Sequence, residues 1–309
     1  TRCLSDWSSD VCSSDLYWWF ALSALIMIPG LISMALQGFN LGIDFTGGTL
    51  LDLKFARPVT VAEVRDVLKD HHLESSTIQL ASGAQVESAP NVFIRTHVLN
   101  ESERSALLGD IQKRLGAFEV LRIEKVGAII GSELTRGALI ALAAAWAMMI
   151  AYISYRFEFK FAVSGILALI HDLIVVLGVF SIFRLEVDAS FVAVLLTIVG
   201  YSINDTIVIF DRIRENMKTH RKTESFQELV NRSIWQTMTR SIYTVLTVLF
   251  CSVALYLFGG ETTKNFALAL TIGFVSGAYS SIFNASPIWV TWKEFEEKRR
   301  VEARIKGAK

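Results

Sequence analysis

Six stretches of the chain stay apolar for about 20 residues or more, the length at which an α-helix crosses the hydrocarbon core of a bilayer. They cover roughly residues 17–36, 137–155, 161–183, 189–210, 241–259 and 265–290. A soluble domain has no use for six such runs, and a mean hydropathy of +0.43 agrees with a polytopic α-helical membrane protein. An even number of crossings puts both termini on one side, and Lys and Arg decide which side. The link 156–160, the loop 211–239 and the tail 293–309 hold 2, 6 and 7 basic residues, whereas the links 184–188 and 259–264 hold only Arg184 and Lys264. Both termini are therefore expected in the cytoplasm, with the basic tail 293–309 there. Residues 37–136, between the first and second crossings, are expected outside it, and residues 137–292 form the remaining five crossings.

The leader TRCLSDWSSDVCSSDL, residues 1–16, repeats Ser-Ser-Asp and sets Asp6, Asp10 and Asp15 against a lone Arg2. A cytoplasmic end before a first crossing is usually basic. The leader thus contradicts every other loop and reads as an artefact of sequence assembly, with a cleaved signal peptide as the alternative. Cys3 and Cys12 lie in this leader and Cys251 in a crossing, so no disulfide framework is expected.

Between the first two crossings the pattern is strand, helix, strand, strand, helix, strand. TLLDLKF alternates as a strand does, and TVAEVRDVLKDHH opens with a Thr60 cap and Glu63 three residues on. STIQLA and NVFIRTHV are short strands around a turn region at Gly83 to Pro90, ESERSALLGDIQKRLGA is a helix, and FEVLRIEKVG closes the set. This is the order of a small ferredoxin-like α+β domain. His71, His72 and His97 have no third ligand at a metal-like spacing. GIDFTGG lacks the Lys and the following helix of a phosphate-cradling loop. No metal, no cofactor and no nucleic-acid partner is expected, which excludes a nucleotide-driven machine.

Ionisable groups inside a membrane are costly and usually face a bundle interior or a water-filled path. The third crossing carries His171 and Asp172. In the fourth, Thr197, Gly200, Tyr201, Asn204 and Asp205 follow three- and four-residue steps and share a face; in the fifth, Arg240, Thr244, Thr247 and Cys251 do the same. Asp205 is too far from either end to snorkel and reads as functional. Arg240 reads as its partner, or as a side chain reaching the headgroups. Asp172 reads as a second station, or as a buried carboxyl hydrogen-bonded by His171 or a neighbouring Ser. Asp211, Arg212 and Arg214 read as a solvated helix end. Gly273, Gly277 and Ser280 or Ser281 form a packing face that packing alone explains. Pro29 with Gly30, and Pro287, are expected kinks.

LGIDFTGGT after the first crossing, VGAIIGSEL before the second, ALIHD in the third, GYSINDTIVIFDRIREN in the fourth, SIWQTMTRSIYT at the fifth and GAYSSIF in the sixth stand in this order over residues 17 to about 295. Together they resemble the SecD/SecF family of bacterial protein translocation, in its smaller SecF branch, within the resistance-nodulation-division (RND) superfamily. The leader has no counterpart there. The resemblance implies a non-enzymatic membrane subunit that works with SecD, using the proton gradient to help draw unfolded secretory polypeptides out of the SecYEG channel on the periplasmic side of the inner membrane. YajC and YidC are further implied partners. It places the family's membrane carboxylate on Asp205 and the arginine that opens its fifth helix on Arg240. The charges alone lead to the same two residues. The expected proton path is Asp205 and Arg240 with Asn204, Tyr201 and Asp172; the expected joint between domain and membrane is Gly42, Asp44, Gly47 and Gly48.

Three alternatives compete. An RND-type exporter of drugs or lipids usually has twelve crossings and two large external domains in one chain. An intramembrane aspartyl protease could use Asp172 and Asp205, but Ser202, Ile203 and Asn204 precede Asp205 where that family has Gly-x-Gly. A hydrolase built on Ser164 and His171 has nothing to supply an oxyanion hole.

Overall fold

A computed structural model describes residues 16–81, 91–219 and 224–307. The leader up to residue 15, the turn region around Gly83 to Pro90 and the middle of the loop at Lys222 lie outside the described residues. The chain divides into two compact units, one of residues 41–140 and the other of residues 1–40 with 141–309.

The first unit opens with a one-turn helix, α2 (Ile43–Thr46), and continues with strand β1 (Gly48–Phe55) and helix α3 (Val61–Asp70). Strands β2 (Thr77–Ala81) and β3 (Asn91–Thr96), helix α4 (Glu101–Leu115) and strand β4 (Phe118–Val126) follow. The sheet order is β2-β3-β1-β4, and every neighbouring pair is antiparallel. This is the ferredoxin-like arrangement that the order of elements predicts. Leu51 faces Ile94 on one side and Ile123 on the other. Because side chains alternate along a strand, Leu51, Leu53 and Phe55 all point into one core, where Val64, Val67 and Leu68 of α3 and Leu107, Ile111 and Leu115 of α4 meet them. The Thr60 cap forms as expected: its hydroxyl accepts from the Glu63 amide, and Glu63 accepts from the Thr60 amide and hydroxyl. Those two bonds from Thr60 hold the Glu63 carboxyl below the ordinary glutamate range. The edge strand β4 is largely exposed.

The second unit is helical. Helix α1 spans Leu16–Gln37, α5 Ala128–Arg156, α6 Phe159–Ile182, α7 Ala189–Lys218, α8 Phe226–Phe258 and α9 Glu261–Ser280. A π-helical turn, Ser281–Ala285, joins α9 to α10 (Ser286–Gly307). Six helical spans among the described residues are long and apolar enough to cross a membrane. The helices run past the apolar windows. The loop expected over 211–239 is mostly helix, as the end of α7 and the start of α8, and the tail from 293 continues as α10. Hydropathy measures the length that lipid must cover, whereas hydrogen bonding carries a helix on into water, held there by caps such as Ser225 with Glu228.

Helices α6 and α7 are buried over half their lengths, while α1, α5 and α8 turn most of their apolar side chains outward, as lipid-facing helices do. Backbones meet closely where glycines allow it: a Cβ on Gly30 of α1 would lie 2.8 Å from the Gly178 Cα of α6. Ser33 and Ser181 hydroxyls meet at 2.8 Å in the same seam. Phe161 of α6 stacks on the fully buried Trp289 of α10, ring centres 4.7 Å apart, and packs on Phe210 of α7. Lys160 pairs with Glu296, and Lys293 with Glu158 at 2.8 Å, tying α6 to α10. The π turn lies just ahead of Pro287. A proline there has no N–H for the carbonyl four residues back and crowds it. The expected kink is thus expressed as a widened turn.

Candidate functional site

The site grows out of the buried face of α7. Residues three and four apart on a helix share a face, and Ile198, Ser202, Asp205, Ile209 and Ile213 are all buried there. Asp205 is only 6% exposed. Its Oδ1 accepts from the Ser241 hydroxyl of α8 at 2.7 Å. Its Oδ2 is buried and has no hydrogen-bond partner among the described residues. Arg240, the neighbour of Ser241 on α8, lies within electrostatic reach of the carboxyl. Tyr201, one turn before Asp205, packs its ring on Phe274 of α9 at 4.8 Å. The structure therefore gathers Asp205, Arg240 and Tyr201 at one place, with Asn204 beside them on α7.

The two polar stripes expected on α7 and α8 both lie on open surface. Thr197, Gly200 and Asn204 are exposed on α7, and Arg240, Thr244, Thr247 and Cys251 are exposed on α8. The threonines satisfy their own hydroxyls by bonding back to the helix, Thr197 to the Ala193 carbonyl and Thr244 to that of Arg240. Arg240 and Asn204 remain presented at a face of apolar helices.

Asp172 is built differently. It is completely buried. Its Oδ1 accepts from the Ser276 hydroxyl of α9 at 2.7 Å and meets His171 Nδ1 at 3.2 Å; its Oδ2 accepts from Ser202 of α7 and Ser280 of α9, both at 2.7 Å. Ser276 and Ser280 correct the reading of the sixth crossing as packing alone. Close packing is present, since a Cβ on Gly273 would lie 2.2 Å from Ile198 Cδ1 and one on Gly277 3.0 Å from Ser202 Cβ. The same helix also supplies donors to a carboxyl. The signal was available in the four-residue step between Ser276 and Ser280, which puts both on one face.

The two rival enzyme arrangements do not assemble. Asp172 and Asp205 engage different serines and share no hydrogen bond among the described residues. Ser164 Oγ is buried with no hydrogen-bond partner there, so no Ser164–His171 pair forms.

In the α+β unit, His71 Nε2 meets Asp110 Oδ2 at 3.1 Å. The Lys113 ammonium, and behind it His71, holds the Asp110 carboxyl below its ordinary value. No group of three or more His, Cys, Asp or Glu that could hold a metal occurs among the described residues. At the expected joint, Gly42 takes ordinary extended backbone and Asp44 sits in the first turn of α2. Gly47 caps that turn at φ 72° and ψ 163°, a conformation that only glycine adopts readily. Gly48 opens β1 at φ 137°, where a Cβ would lie 2.4 Å from the Thr96 carbonyl oxygen.

Comparison with known proteins places this architecture. Residues 108–295 match the family described as protein export membrane protein SecD/SecF, C-terminal, and residues 32–59 match the SecD/SecF GG motif. The chain is 54% identical over 276 residues to the protein translocase subunit SecF of Acidaminococcus fermentans, covering 89% of this chain and 94% of that one. It is 38% identical over 274 residues to the SecF of Haemophilus influenzae, covering 87% and 82%. It also superimposes on the crystal structure of SecDF, a translocon-associated membrane protein from Thermus thermophilus, with a TM-score of 0.83 and 36% identity. That match covers 91% of this chain and 38% of the longer SecDF chain.

Proposed function

Because the chain belongs to the SecD/SecF family of protein-export membrane proteins, we propose that it works as the smaller partner of SecD, coupling proton flow to the export of unfolded polypeptides. One observation carries the reading. A buried carboxyl with an open oxygen, Asp205, lies behind polar groups, Asn204 and Arg240, that this chain alone leaves exposed on apolar spans. A charged side chain at mid-bilayer costs about 3 kcal/mol or more. The stripe is therefore half of a site that a second helical bundle completes. A family description that covers SecD and SecF together supports a partner built on a similar plan.

Within that site Asp205 takes up and releases the proton. A nearby guanidinium favours a carboxylate and its withdrawal favours the acid, so the distance between Arg240 and Asp205 acts as the switch. Tyr201 and Asn204 line the route. The α+β unit meets the emerging polypeptide outside the cytoplasm, Gly42, Asp44, Gly47 and Gly48 join it to α1, and SecYEG, with YajC and YidC by resemblance, completes the assembly. The exporter alternative has less support, since the relatives are translocase subunits.

Purified in mild detergent from cells that also make SecD, the chain is expected to bring SecD with it. Elution without SecD would remove the main support for the reading. The orientation has its own test, in a variant without native cysteines. Single cysteines at Glu101 and Gly260 should react with an impermeant thiol reagent added to intact cells, and one at Lys298 should not; labelling of Lys298Cys would invert the topology.

A further inference from the structure

A carboxylate offers about four lone-pair positions to hydrogen-bond donors. At Asp172 all four are taken, by His171 on its own helix, Ser202 on α7, and Ser276 and Ser280 on α9. A proton on either oxygen has to displace one of these donors. Asp205, in the same bundle, has one donor and one open oxygen. The titratable group touching Asp172 is His171, whose ring packs on Tyr279 of α9 at 5.8 Å.

We propose that Asp172 is a fixed acceptor that pins α6, α7 and α9 together and carries no proton in the transport cycle. Its grip on Ser202 sets the rotation of α7, and Asp205 stands one turn further along the same buried face. Asp172 is thus a positioning residue for the proton site. This rests on the reading of Asp205 as proton carrier, but its stability readout does not.

The variants Asp172→Asn, Asp172→Leu and the double variant Ser276→Ala with Ser280→Ala separate a pin from a carrier. Serine hydroxyls accept as well as donate, so Asn keeps a hydrogen-bonded centre of the same size while removing the exchangeable acid. Export driven by the proton gradient, measured in membrane vesicles containing SecYEG and SecD, should stay within about twofold of the unsubstituted protein for Asp172→Asn and fall about tenfold or more for Asp172→Leu. The dependence of Asp172→Asn on external pH should be unchanged. The double serine variant, purified, should melt several degrees lower, since two buried donors to a carboxylate are lost. Asp172→Asn with unaltered melting but export at background would overturn the proposal. So would an unchanged melting temperature in the double serine variant, a readout that stands even if the Asp172 variants fail to fold. Full export by Asp205→Asn beside a destabilised double serine variant would overturn the proton-carrier reading and leave the pin in place.

Discussion

Asp205→Asn should reduce gradient-stimulated export to the level seen without a gradient, while the amount of protein in the membrane and its association with SecD stay unchanged. Asn occupies the same space and can still take the Ser241 hydroxyl that Oδ1 takes now, so the change removes the exchangeable proton and little else. The expected size follows from the driving force. One charge crossing 100 mV is worth about 2.3 kcal/mol, a bias of about fiftyfold, and a site that cannot bind the proton forfeits all of it. Arg240→Met should come close to the same loss, because the switch then lacks its cation. Export is measured in vesicles over a range of external pH. Full stimulation of Asp205→Asn at every pH would leave Asp205 as a packing residue.

Gly48→Val is expected to unfold the α+β unit rather than merely stiffen a joint. Its φ of 137° is one that a β-branched residue avoids, and the added Cβ would press to 2.4 Å from the carbonyl oxygen of Thr96 in the neighbouring strand. Backbone strain of about 1–3 kcal/mol joins overpacking of about 1–3 kcal/mol, against a domain stability of about 5–15 kcal/mol. Gly47→Val should act in the same direction through strain at the cap of α2. Limited proteolysis in intact membranes reads the outcome: fragments should appear from the segment 41–140 while the helical unit stays whole. Unaltered protease resistance in Gly48→Val would contradict the geometry at this strand.

The crossings were legible because lipid demands a run of apolar side chains, and that demand is local in sequence. The α+β unit was legible for a similar reason: Leu51, Leu53 and Phe55 alternate, and Thr60 with Glu63 writes its own helix start. Asp205 and Arg240 stood out because a charge in an apolar run needs an explanation. The Ser241 donor to Asp205 and the serine ring around Asp172 did not stand out. A serine in a membrane helix is ordinary, commonly bonded to its own backbone, as Ser233 is to the Leu229 carbonyl. Only the packing of α9 against α6 and α7 turns Ser276 and Ser280 toward a carboxyl more than one hundred residues away in sequence. Helix ends were misjudged for the converse reason, since α7 and α8 continue on charged residues that hydropathy discounts. The π turn left only Pro287 as its trace, and a proline announces a disturbance without saying what form it takes.

That turn also makes the end of the chain sensitive to length in a way that most of it is not. A π turn accommodates an extra residue relative to an α-helix, so losing one residue from Ser281–Ala285 would let α9 and α10 fuse into regular helix and rotate everything beyond by about 100°. Trp289 would swing off the face of Phe161, and Lys293 and Glu296 would leave Glu158 and Lys160 together. Substitutions can be absorbed one side chain at a time, but a deletion here shifts a whole set of contacts at once. The segment behaves as a counted spacer, and relatives that keep these pairings have to keep its residue number even where they change its letters.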